Sequence, residues 1–512
     1  MANTTINIPK PHLIMGLCLP LAVLIGYLLA EPLESGSLAV VIFVFSVLAV
    51  PILLKWHHSL LVIFWNATIN PFFLPGRPYL WMLLAMISLL LAVLNRATDP
   101  HFRFILVPSV TRPLLIFFAV VILTCMMTGG FGLRVFGSST YGGRNYIYLV
   151  IGIAGYFALC SKRIPLQSAS FFVALFFLAG ITSIVSNLAF LGGSGFYFLY
   201  QLFPPEFAID QAAAAGDSVI DSQMVRLTGL TWAAQAIYCF LLARYGIRGI
   251  FNLASPWRFV MFAGTLFASL FGGYRSALVL MGVTFIILFC VEKLWRTGLM
   301  AILLIGTVLA GTGLIFFASK LPLSVQRSLS FLPMIHVDQI ARDSAIASTE
   351  WRLQMWRRVL PELPKYLLKG KGYALDPNEL FMATHSRFSG TEEGAMYAGD
   401  YHNGPLSVLM PFGLFGMVAL LWFFYRGTGL LHHYCRFGDP ALFRINAFLF
   451  ALFLARVLSF LIVSGSIYSD MFSFTGLLGL AVSLNGRPGL PRVSEEAATD
   501  QNDLVLLRER AY

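Results

Sequence analysis

Charge is what this chain lacks most. Of its 512 residues only 12% are charged, against 58% hydrophobic. A soluble protein of this length would have too little polar surface to meet water. Soluble classes are therefore excluded, and the composition predicts an all-α, polytopic integral membrane protein. Cysteine is sparse too. Cys18, Cys125, Cys160, Cys239 and Cys290 fall in or at the ends of apolar segments, Cys435 falls outside them, and none has CxxC spacing. This predicts neither a disulfide framework nor a thiolate metal site. No HExxH or HxxxH pattern occurs, so no histidine metal site and no cofactor are expected. The net charge of +11 comes without a Lys/Arg block or stacking motif, so nucleic acid is not an expected partner. Internal repeats and low-complexity blocks are also missing.

What is abundant is apolar sequence. Runs long enough to cross hydrocarbon fall near 13–30, 37–54, 58–74, 79–94, 113–128, 145–160, 168–192, 228–245, 257–273, 276–292, 298–318, 404–425, 441–464 and 469–485. That predicts about 14 transmembrane helices. The first run is read as a span rather than a signal peptide. Little charge precedes it beyond Lys10 and His12, and no A-x-A site follows. The 58–74 run contains Asn66, Asn70 and Pro71, which predicts a broken or re-entrant segment.

Basic residues alternate along the loops. With the N-terminus in the cytoplasm, inside loops carry Lys55; Arg96, Arg103 and Arg112; Lys162 and Arg163; Arg244, Arg248 and Arg258; Lys293 and Arg296; and Arg426, Arg436 and Arg444. The short outside loops carry only Arg77, Arg134, Arg144, Arg226 and Arg275. The positive-inside rule then places both termini in the cytoplasm and the long 320–402 loop outside. The expected organisation is N-terminal transmembrane helices over 1–225, a catalytic region over 226–425 containing the partly helical extracytoplasmic loop, C-terminal helices over 426–485, and a cytoplasmic tail over 486–512.

The outside arginines are the candidates for chemistry. The loop holds Arg327, Arg342, Arg352, Arg357, Arg358 and Arg387, and ends at Tyr401-His402-Asn403. Arg275 follows Gly272-Gly273 in a tight turn between two spans. It reads either as an arginine snorkelling from a helix end or as an anion clamp, because guanidinium binds phosphate bidentately and keeps its charge. Arg226 opens the next span back, with the same two readings. A helix over 350–363 would carry Leu353, Trp356, Val359, Leu360 and Leu363 as one stripe, with Arg352 inside it and Arg358 opposite. A cation on a buried face needs an anion, either a structural carboxylate or a substrate. His402 follows Asp400 and precedes a span, and is read as a helix-capping residue or as a general base. His336 and His385 are weaker candidates. Arg456 lies within a span, with Asp470 as one partner to consider, in a structural or a substrate-path role.

Several pieces resemble the O-antigen ligase/polymerase (Wzy-type) superfamily of membrane glycosyltransferases. They are Arg226-Leu-Thr-Gly-Leu, Tyr274-Arg275-Ser276-Ala-Leu, Trp351-Arg352-Leu-Gln-Met-Trp356, Gly370-Lys-Gly372-Tyr, His402-Asn403-Gly-Pro-Leu406 and Phe412-Gly413-Leu-Phe-Gly416. The resemblance covers about 226–420. It implies a GT-C-like helical fold and metal-independent transfer of glycan from an undecaprenyl-diphosphate carrier. It matches Arg226, Arg275 and Arg352 to diphosphate contacts and His402 to the residue that activates the acceptor hydroxyl; Asp400, Asn403 and Arg456 are supporting candidates by their own positions in the sequence. The acceptor would be a glycan, lipid A-core or a protein. The chain departs from the family pattern at Gly404-Pro405, which bears on how the following helix starts.

Two functions follow. One is a surface-polysaccharide polymerase or ligase in the bacterial inner membrane. The other is a transporter or flippase of an anionic lipid-linked sugar. A transporter predicts polar residues at mid-membrane and paired repeats, whereas here the charges gather at one face.

Overall fold

The computed structural model describes residues 23, 26, 35–72, 74, 76–132, 142–205, 225–332, 334–382 and 392–488. Most of the first apolar run, Cys18, Arg134, His385, Arg387 and most of the tail lie outside the described residues. The chain forms two compact units, residues 1–60 and 61–512. All regular elements among the described residues are helical.

Seven described helices are long and apolar enough to cross a membrane. They are Leu80–Thr98, Pro108–Thr128, Leu166–Gly192, Leu299–Lys320, Gly404–Phe437, Pro440–Val463 and Ile467–Asn485. The protein is therefore multi-pass by length and composition. Two further apolar helices, Val50–Phe64 and Arg275–Val291, are shorter.

The two runs expected at 37–54 and 58–74 are not separate helices. A single helix, Ser35–Phe64, passes through the polar dip between them and tolerates Pro51. The chain leaves helical structure after Phe64, where polar residues take over: Asn66 Nδ2 donates to Phe176 O and Asn70 Nδ2 to Arg77 O, both at 2.8 Å.

Helix Ile467–Asn485 is buried along nearly its whole length. It packs on helix Gly143–Leu159, and helix Gly404–Phe437 packs on Pro108–Thr128. A helix that is apolar all round belongs either inside a bundle or against lipid. Ile467–Asn485 takes the first place. Leu299–Phe317 buries none of its side chains and takes the second. Helix Thr228–Ile250 carries Thr231, Gln235 and Tyr238 inward. Two of these polar groups find partners in neighbouring helices: Thr231 Oγ1 donates to Ser269 O at 2.9 Å and Tyr238 Oη to Met281 O at 2.7 Å.

The long loop is largely helical. Short helix Leu323–Leu329 seats Val325 and Leu329 against Leu270. Helix Gln339–Val359 follows, capped by the Asp338 carboxylate, which accepts from Ile340 N–H at 2.8 Å. Its buried face runs through Ala341, Ala345, Met355 and Val359. The expected stripe is corrected in part: Leu353 is 42% exposed and Leu360 51%. The helix's inward face is set by its start, which the sequence reading left out, and the chain tightens into 3-10 geometry at Leu360–Glu362, before the Pro364 turn.

The loop returns to the bundle through a broken helix. Gly413 (φ 63°) interrupts Gly404–Phe437 next to Pro411. Freed helix carbonyls are then taken by the loop: Lys371 N–H donates to Met410 O at 2.7 Å and Gly372 N–H to Pro411 O at 3.0 Å. Leu414 N–H donates back to Leu367 O at 2.6 Å. A break of this kind is stable only where protein groups satisfy the released backbone.

Candidate functional site

The site is assembled around one turn. Helix Pro256–Ser269 ends in a 3-10 turn at Leu270–Gly272, and Gly273 adopts φ 70° before helix Arg275–Val291 begins. The left-handed conformation suits glycine. Closeness adds a second constraint, since a Cβ there would lie 3.2 Å from both Arg226 Nε and Arg327 Nη1.

The turn's carbonyls collect arginines from separate elements. Arg226 Nε donates to Gly272 O at 3.1 Å, and its guanidinium lies 4.5 Å from the Tyr274 ring. Arg327 Nη1 donates to Gly273 O at 2.7 Å and its Nε to Ser344 Oγ at 3.0 Å. Arg275 Nη2 donates to Ala345 O and Thr349 Oγ1, both at 3.1 Å. Residues 344–349 are thus tied to the turn, and Arg352 lies two turns beyond Ala345 on the same helix.

Few negative groups balance these cations. Arg327 is 6% exposed. Burial, then Arg226 and Arg275, and less strongly Arg352, push its pKa down to about 9, against a small opposing effect of Tyr274. Burial and Arg275 lower the Arg352 pKa likewise, with Asp400 pulling the other way. Four guanidinium groups therefore share one electrostatic environment, and among the described residues Asp400 is the one carboxylate that acts on Arg327 or Arg352. Such a cluster is costly in isolation and favours an anion.

His402 borders the same environment. Trp356 Nε1 donates to Tyr401 O at 2.8 Å, fastening the residue before His402 to the loop helix. Met355, Val359, Tyr401, Leu406 and Met410 form an apolar cluster beneath it. The His402 ring lies 5.5 Å from that of Trp351. Its Nδ1 is 3.9 Å from Asp400 Oδ1, an ion-pair distance when the ring is protonated. Burial lowers the His402 pKa, Asp400 raises it, and Arg352 lowers it, with a net shift downward. The backbone there has φ 47°, uncommon for a residue with a side chain.

Asn403 has a structural task. Its side chain caps helix Gly404–Phe437, accepting from Leu406 N–H at 3.0 Å, with Pro405 in the first turn. Proline suits that position because its missing N–H would have no helical partner. Gly404-Pro405 therefore starts the helix cleanly. Arg456 stands apart from the cluster. It lies within electrostatic range of Asp470, whose carboxylate accepts from Ser466 N–H at 2.8 Å, and Asp470 in turn senses Asp400. Arg456 Nε has no hydrogen-bond partner among the described residues.

Arg226, Arg275, Arg352, Asp400 and His402 are thus brought together. His336, Arg342, Arg357 and Arg358 are not: the first three are exposed, and Arg358 pairs with Glu393 at 3.1 Å on the outer side of the loop helix. Arg327, Tyr274, Ser344 and Thr349 belong to the site without having been singled out for it. Arg327 was visible only as one of several loop arginines, because its contact with Gly273 is made across the two intervening helices Arg275–Val291 and Leu299–Phe317.

No curated protein matches the chain. Residues 259–421, less than half of the sequence, match the family model described as O-antigen ligase. Arg226 lies before that segment but is bonded to its Gly272. The match covers Arg275, Arg327, Arg352, Asp400 and His402, so this central segment is similar to the O-antigen ligase family over the stretch that holds most of the site.

Proposed function

We propose that the protein is a metal-independent, inverting glycosyltransferase that moves glycan from an undecaprenyl-diphosphate carrier to an acceptor hydroxyl, as a surface-polysaccharide polymerase or ligase. The observation that carries this reading is the convergence of Arg226, Arg275, Arg327 and Arg352 beside His402 and Asp400. In this mechanism Arg226, Arg275 and Arg352 bind the donor diphosphate, and Arg327 holds the turn that aims two of them. The bond from sugar C1 to the phosphate oxygen breaks, the electron pair leaves with the diphosphate, and the fixed guanidinium groups stabilise that charge. The acceptor oxygen attacks C1 from the opposite face, and His402 takes its proton. Asp400 stabilises the imidazolium that results. Guanidinium supplies the charge that a divalent ion supplies elsewhere, which is the basis for metal independence.

The same reading takes the fold as GT-C-like, with about 13 spans once the single helix Ser35–Phe64 replaces two of the expected 14. It puts the chain in the bacterial inner membrane, with the C-terminus cytoplasmic and the arginine cluster extracytoplasmic. The lipid-facing helix Leu299–Phe317 beside the loop suits a polyprenyl carrier.

The test is purified full-length protein with undecaprenyl-diphosphate-linked glycan in EDTA. Transfer to an added acceptor, or a growing ladder from donor alone, is expected, and the product distinguishes ligase from polymerase. Activity that returns only with a divalent ion would overturn the metal-independent mechanism. Movement of the lipid-linked sugar between leaflets with no new glycosidic bond would overturn the transferase reading in favour of a flippase.

A further inference from the structure

A second cluster of polar side chains, built on other elements than the arginine turn, lies within electrostatic range of Asp400. Tyr79 and Tyr148 meet edge to face at 6.1 Å, Tyr148 and Tyr468 at 6.5 Å, and Tyr468 and Tyr373 at 6.4 Å. Arg144 lies over this row: its guanidinium is 5.4 Å from the Tyr148 ring and Nη2 donates to the Tyr148 hydroxyl at 3.3 Å. It is within electrostatic range of the Tyr79 and Tyr468 phenols as well. Arg144 is exposed, and no carboxylate among the described residues pairs with it.

The row is fixed to the His402 segment. Tyr373 packs against Gly399, where a Cβ would lie 3.0 Å from its ring. Asn145 Nδ2, next to Arg144, donates to Ala398 O at 3.0 Å. Asp400 acts electrostatically on both Tyr373 and Tyr468. The Tyr373 hydroxyl is buried, in a residue only 5% exposed, and has no hydrogen-bond partner among the described residues. Buried hydroxyls are ordinarily satisfied, so this one calls for a ligand or water partner.

We infer that Tyr148, Tyr468 and Arg144 form a subsite for an acidic glycan, the acceptor, whose reacting hydroxyl is presented toward Asp400 and His402; this rests on the transferase reading above. Half-exposed tyrosine rings offer apolar faces for the C–H faces of a sugar and hydroxyls for its rim. The guanidinium fork matches a carboxylate or phosphate on that sugar. Three helices begin at this place, Leu80–Thr98, Gly143–Leu159 and Ile467–Asn485, and their N-terminal amides add to the positive potential. The donor diphosphate and the acidic acceptor then occupy separate cationic sites, each within electrostatic range of Asp400.

The test uses the full-length protein without donor. Saturation-transfer NMR would follow a glucuronate-containing disaccharide and its neutral glucose counterpart. The acidic sugar should bind more tightly. Arg144→Gln should weaken it on the order of tenfold and erase the preference, as expected for loss of a charged hydrogen bond. Tyr148→Ala should weaken both sugars, and Tyr148→Phe, which keeps the ring, should retain them. Because no donor is present, binding is read independently of transfer, which separates failure of this subsite from failure of the catalytic reading, and Arg358→Gln, on the outer side of the loop helix, should leave binding unchanged. Displacement by inorganic phosphate would identify a phosphorylated glycan, and displacement by free glucuronate a uronic acid. Equal binding of the two sugars, or a preference that survives Arg144→Gln, would overturn the proposal.

Discussion

His402 combines a left-handed backbone with a half-exposed ring and a carboxylate 3.9 Å away. A side chain held at positive φ costs about 1–3 kcal/mol, and such strain persists where the surroundings fix it. Here Trp356 holds the preceding carbonyl and Asn403 starts the next helix. The net lowering of the His402 pKa has a kinetic consequence. The neutral, base-competent ring is populated above that pKa, so kcat/KM is expected to be full at neutral pH and to fall only below about 6.5, the ordinary histidine value. An acid limb above that value would remove His402 as the base, and so would His402→Ala retaining transfer with normal insertion. Arg327 is the second test at this scale. It bridges Gly273 O and Ser344 Oγ through two different nitrogens. Lysine keeps the charge but not that fork. Arg327→Gln and Arg327→Lys are both expected to lower kcat/KM on the order of a hundredfold, because misplacing the turn misaims the arginines that bind the diphosphate. Full activity in the Lys variant would mean that charge alone is needed.

At the scale of elements, the break at Gly413 and the loop at Gly370–Gly372 are one device. The helix releases the carbonyls of Met410 and Pro411, and the loop's N–H groups occupy them. In the sequence these are two short motifs some forty residues apart. Neither predicts the other, because each is locally just glycine in polar or apolar surroundings. A Cβ at Gly413 would lie 2.6 Å from Leu367 O, at a φ that other residues resist. Gly413→Ala is therefore expected to destabilise the protein by about 1–3 kcal/mol. The checks are a lower Tm and faster limited proteolysis within 320–402. An unchanged Tm would show that the interlock is not strained by a side chain. The loop helix makes the opposite point: its periodicity was legible, and Arg352 does lie on its inward line with Ala345 and Met355. Which apolar residues share that line depended on the helix starting at Gln339, well before the stripe that suggested it.

Over the whole molecule, charge is sorted to the ends of helices. Arg226 precedes the Thr228–Ile250 helix and Arg275 opens Arg275–Val291, while Arg248 and Lys293 lie at their opposite ends. If the positive-inside assignment holds, a cysteine introduced at exposed Arg342 should react with a membrane-impermeant maleimide in intact cells. One introduced at exposed Arg436 should react only after permeabilisation, both in a background where Cys290 and Cys435 are replaced. Labelling of both from the same side would sink the proposed topology.

The sequence by itself determined the helical membrane class, since a chain this apolar can satisfy its backbone in lipid only through helices. It also marked Arg226, Arg275, Arg352 and His402 by type and position. Helix boundaries were less legible, because hydropathy reports which residues avoid water and not where the backbone bends. Ser35–Phe64 runs through a polar dip for that reason. Only the tertiary structure decided that Arg327 shares a turn with Arg226 and that a row of tyrosines borders Asp400. Those contacts join segments dozens to hundreds of residues apart, and they are set by packing, which no local pattern encodes.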